Sequence, residues 1–74
     1  MQTSNIKLIV TVDDQHLVQI ERVADKLAAA GLKIESILRT GGIITGSVSQ
    51  ELQTKLQAIE GVLSVETDTE MRAL

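Results

Sequence analysis

The sequence predicts an α+β fold in which a four-stranded antiparallel sheet carries two helices on one face. Three observations point there. Four short runs alternate apolar and polar residues with the period of two that marks half-buried strands. Two other runs carry apolar residues at helical spacing. The order along the chain is strand, helix, strand, strand, helix, strand, which is the ferredoxin-like, split βαβ pattern (βαββαβ). Each half needs a right-handed crossover, and that places both helices on the same side of the sheet.

The elements follow in order. Ile6, Leu8, Val10 and Val12 alternate with Lys7, Ile9 and Thr11 and define the first strand. Asp13-Asp14 offers a helix N-cap, where carboxylates are favoured by free amides and the helix dipole. Leu17, Ile20, Val23, Ala24 and Leu27 form the apolar stripe of the first helix, and Gly31 is its expected left-handed stop. Strict alternation through residues 32–39 sets Leu32, Ile34 and Leu38 on the core side of the second strand. Gly41-Gly42 marks the turn into a third strand over residues 43–49, with Ile44 and Val48 on one face and Gly46 between them. Ser49 is the expected cap of a second helix with Leu52, Leu56 and Ile59 as its stripe, closed by Gly61. The last strand runs from Val62 to Glu66.

Length and composition narrow the functions. The 74 residues read as one domain over 1–74, with a folded core at 5–66 and an extended tail at 67–74. A single core of this size contributes only about 3–5 kcal/mol. The chain has no Cys and no aromatic residue, so neither a disulfide nor a thiolate metal site supplements it. A partner or self-association is therefore expected to help the fold. The net charge of −3 argues against nucleic acid. The absence of exposed aromatics argues against RNA stacking on the sheet. No apolar run approaches the roughly 20 residues that cross a bilayer, so no membrane partner is expected. Residues 1–5 lack a secretory pattern, and a cytoplasmic location is expected.

With helices on one face only, period two puts Ile9, Ile37 and Ile43 on the open face, beside Lys7, Lys33, Glu35, Arg39, Thr45 and Ser47. These three isoleucines read either as ordinary surface residues or as a docking patch.

The segment from Gly31 to Leu74 resembles the propeptides of subtilisin-type serine proteases and the small stand-alone inhibitors of the same family. The likeness rests on Gly31-Leu32-Lys33-Ile34, Leu38, Thr45-Gly46-Ser47, the leucine spacing of the second helix and the closing Val62-x-x-Val65-Glu66-x-Asp68. Leu8-Ile9-Val10 resembles the first strand of that family more loosely. The resemblance implies a binding module, not an enzyme, that inhibits or assists the folding of a subtilisin-like serine protease. It implies that the open sheet face packs on two surface helices of the protease. Glu66 and Asp68 would meet the N-termini of those helices, where carboxylates are well received. The tail would lie product-like in the substrate cleft as an added strand. Leu74 would fill the primary specificity pocket, Ala73 the small position beside it and Met71 a second apolar pocket, with Arg72 toward solvent. Two departures stand out: no protease domain follows in this sequence, and no secretion signal precedes. Glu66 and Asp68 also suit the end of an edge strand, where charge deters sheet-to-sheet pairing.

Other readings remain in view. A homodimeric regulatory or small-ligand-binding domain would use the same isoleucines. Similar small bacterial chains are labelled ketohydroxyglutarate aldolase, but a Schiff-base lysine needs a desolvated pocket, and Lys7, Lys26, Lys33 and Lys55 fall on polar faces. His16, the one histidine, has no motif partner for catalysis. Asp13, Asp14 and His16 read as a capping turn before a metal site, and no catalytic residue, metal ligand or cofactor is expected.

Overall fold

The computed structural model describes residues 5–67. Its strands are β1 (Asn5–Val12), β2 (Lys33–Leu38), β3 (Ile43–Ser49) and β4 (Val62–Thr67), and its helices are α1 (Ile20–Ala29) and α2 (Gln53–Leu56). The sheet order is β2-β3-β1-β4. All three neighbouring pairs are antiparallel. This is the split βαβ arrangement: the two strands joined through helices to distant neighbours, β1 and β3, occupy the middle.

The core forms where period two and helical period meet. Leu8, Val10 and Val12 of β1 and Ile44 and Val48 of β3 are buried on one face of the sheet. Ile20, Val23, Ala24 and Leu27 of α1 and Leu56 of α2 belong to the same cluster. Both helices therefore cover the same face. Every buried side chain among the described residues is aliphatic, and none is polar or charged.

The entry to α1 is tighter than a simple cap. A 3-10 stretch over Asp14–Gln19 comes first. The amide of Gln15 donates to Asp13 Oδ1 at 2.8 Å, so the expected capping role falls to Asp13. The exit is a Schellman motif. Gly31 takes φ +114°, its amide donates to Ala28 O at 3.0 Å, and the amide of Leu32 donates to Leu27 O at 3.0 Å.

The second helix is shorter than its leucine spacing predicts. A 3-10 turn at Gln50–Leu52 leads into only four α-helical residues. Ser49 makes no side-chain cap. Beyond Leu56 the bonds tighten to three-residue spacing, with Ala58 N donating to Lys55 O and Ile59 N to Leu56 O, both at 3.2 Å. Leu56 alone is fully buried here, so little apolar contact supports a longer α-helix.

The second strand departs from strict alternation. Ile34 pairs with Gly46, but Ser36 pairs with Thr45, so Glu35 is an extra residue in a β-bulge. Past the bulge the faces exchange. Ile37 pairs with Ile44 and packs against the core, while Leu38 pairs with Ile43 and is 55% exposed. The expectation of Ile37 on the open face and Leu38 on the core side is corrected accordingly. The reason is Ser36. Unbroken alternation would set its hydroxyl on the helix-covered face beside Ile44. The bulge sends it to Thr45 instead, where the two hydroxyls lie 2.8 Å apart.

Candidate functional site: the open face of the sheet

The face of the sheet away from the helices carries Lys7, Ile9 and Thr11 of β1, which alternate with the buried Leu8, Val10 and Val12. Register adds Ile43, Thr45 and Ser47 of β3 and Ser64 and Glu66 of β4. No described element covers these side chains. Ile9 and Ile43 are half-buried, and neither packs against the core cluster. They occupy diagonal positions on adjacent strands, because Ile9 pairs with Thr45 and Thr11 with Ile43. Such neighbours lie within reach of long side chains. Leu38 sits directly opposite Ile43 on the far side of β3. The apolar patch is thus Ile9, Ile43 and Leu38, with Leu38 in the place expected for Ile37.

The remainder of the face is polar and graded. Lys7 of β1 and Lys33 of β2 both pair with Ser47, one from each side. The Lys7 ammonium lies 3.2 Å from both carboxylate oxygens of Glu35. The bulge gives Glu35 the freedom to reach across β3. Arg39, just beyond β2, turns away from the face and forms an ion pair with Glu21 of α1.

Glu66 is exposed and pairs with Ile9 across the β1–β4 ladder. Carboxylate and apolar patch therefore share one row of the uncovered face. Asp68, Met71, Arg72, Ala73 and Leu74 lie outside the described residues.

Two further exposed apolar side chains escaped the pattern reading. Leu63 is 66% exposed at a second register shift, where Thr11 pairs with Ser64 but Val12 with Val62. Val18 is exposed within the 3-10 stretch before α1. For Leu38 a signal existed: Ser36-Ile37-Leu38 offers two adjacent apolar residues after a serine, and only a bulge keeps the serine off the core face. For Leu63 and Val18 no comparable signal is present.

His16 is half-buried, with Nε2 3.8 Å from Glu60 Oε2 and ring carbons against Gly61. Its Nδ1 has no hydrogen-bond partner among the described residues. No group of three His, Cys, Asp or Glu side chains among the described residues is placed to hold a metal ion. Lys7, Lys26, Lys33 and Lys55 are all exposed. No described helix is long and apolar enough to cross a membrane. Compared with known proteins, the chain matches no protein-family model, no curated protein and no solved structure.

Proposed function

We propose that this chain is a protein-binding domain that docks the open face of its sheet on a subtilisin-like serine protease and lays residues 71–74 in the substrate cleft. The observation that carries the reading is the pairing of Ile9 with Glu66 on the uncovered face. It aims an apolar contact and a carboxylate in the same direction, as a partner surface with apolar residues and free helix N-terminal amides requires. Ile43 and Leu38 extend the apolar contact toward β2. Covering the three side chains would contribute on the order of 1 kcal/mol each, since all are already partly shielded. That is too little for tight binding on its own, so main-chain pairing of the tail supplies the remainder. Met71, Ala73 and Leu74 are the side chains assigned to the cleft.

Inhibition of a purified subtilisin by the full chain and by a chain ending at Glu70 tests this. The reading predicts potent inhibition by the full chain and none by the shortened one, with equal folding of both. Absence of inhibition by a folded full chain would overturn it. The same patch then turns to its other candidate occupant, a second copy of this chain, which sedimentation would reveal.

A further inference from the structure

The segment that leads from β1 into α1 grips two loops at once. The amide of Val12, the last residue of β1, donates to Gly42 O at 2.7 Å, and the next amide, that of Asp13, donates to Gly61 O at 2.8 Å. Gly42 lies in the turn between β2 and β3, and Gly61 in the turn before β4. Side chains further along return to the same two glycines. Leu17 lies over Gly42, where a Cβ would come within 2.6 Å of its Cδ2. His16 lies against Gly61, where a Cβ would come within 3.2 Å of its Cγ. Each glycine is therefore held twice, through its carbonyl and over its Cα.

Asp13 is the pivot of this grip. Its amide is taken by Gly61, its carbonyl accepts from the His16 amide at 2.9 Å, and its Oδ1 accepts from the Gln15 amide at 2.8 Å. The last two bonds turn the 3-10 stretch back, so that residues 16 and 17 reach the glycines. Only φ and ψ of Val12 separate the two amides that hold the loops, and Val12 is buried. Neither amide can leave its carbonyl without disturbing the other.

The Gly42 turn also carries part of the open face. It is closed by Gly41 N donating to Leu38 O at 3.2 Å and Gly42 N to Arg39 O at 3.4 Å. Leu38 and Ile43 stand opposite each other at its two ends.

We propose that residues 13–17 form a clamp that couples the entry of β4 to the β2–β3 turn and so positions Leu38 and Ile43, with Asp13 and Leu17 as positioning residues. The clamp deepens the reading above, on which its functional consequence rests: it holds the apolar patch in one arrangement before a partner arrives, which lowers the cost of binding. His16 and Leu38 belong to opposite margins of the sheet, with β1 and β3 between β4 and β2. A change at one reaches the other through the clamp.

Amide exchange and methyl NMR of the labelled full chain test this without any protease. Exchange at Val10, in the centre of the sheet, measures global unfolding and is the reference. His16→Ala loosens the Gly61 side, and Leu17→Ala the Gly42 side. In each variant, protection of Val12 and Asp13 relative to Val10 is expected to fall together, by about fivefold or more, as for two coupled sites. The methyl signals of Leu38 and Ile43 are expected to shift in His16→Ala. Two independent contacts would give a different result: His16→Ala would lower Asp13 alone and Leu17→Ala Val12 alone. That outcome would overturn the proposal, as would unchanged relative protection in both variants or unmoved Leu38 and Ile43 methyls in His16→Ala. Failure here is distinct from failure of the protease reading, since a chain that inhibits while its two loops open independently keeps its function and loses the clamp.

Discussion

Lys7 on β1 and Glu35 on β2 meet above the intervening strand β3, with Nζ 3.2 Å from each carboxylate oxygen. Their strands are not neighbours in the sheet. The contact exists because the bulge after Ile34 frees Glu35 from the ladder. The pair is a reporter of the bulge as well as a feature of the open face.

A double-mutant cycle with Lys7→Ala and Glu35→Ala should give a coupling of about 0.2–1 kcal/mol, because both side chains are more than two-fifths exposed, at 43% and 45%. The coupling should shrink in molar salt. Urea denaturation at low and high ionic strength measures it. A salt-insensitive coupling would contradict the exposed geometry.

The bulge also makes a prediction that the unbroken pattern reverses. Ile37→Ala should cost about 2 kcal/mol, at the low end for a core isoleucine because the residue is half-buried on an edge strand. Leu38→Ala should cost less than about 0.5 kcal/mol, as an exposed position does. Equilibrium unfolding of the two variants decides the register. The opposite ranking would restore strict alternation in β2.

Gly46 of β3 faces the β2 backbone with no room for a side chain. A Cβ built there would overlap the carbonyl oxygen of Lys33 and lie 3.0 Å from Cα of Ile34. Both obstacles are backbone, so relief requires moving the strand. Gly46→Ala should destabilise by about 1–3 kcal/mol, the cost of overpacking a closed core site. Thermal denaturation checks it, and a neutral result would mean that the edge strand yields freely.

The sequence carried the topology because punctuation and periodicity agreed at almost every boundary: Asp13 caps, Gly31 stops α1, and Ile44, Gly46 and Val48 keep one face through β3. It carried less where a pattern of two meets an inserted residue. Period two cannot register the extra Glu35, and Ile37 and Leu38 after it were assigned to the wrong faces. The length of α2 was overestimated for a different reason. Leucine spacing shows where a helix would bury its side chains, not whether enough surface waits to receive them. The open face itself was legible, since Ile9 and Ile43 follow directly from strand parity; Glu66 joins them only through the β1–β4 register. Leu38 and Leu63 were not, because bulges place them.

The central claim is that the open face of the sheet is a docking surface, and Leu38→Asp tests it most directly. The side chain is exposed, so the fold should survive the change. The measurement is the affinity of the full chain and of this variant for a purified subtilisin, with the tail intact in both. The account predicts binding by the full chain and a loss of about tenfold or more in the variant, as for a desolvated apolar contact at an interface. Equal affinity of the two would contradict docking through this face, even if the tail alone proved inhibitory.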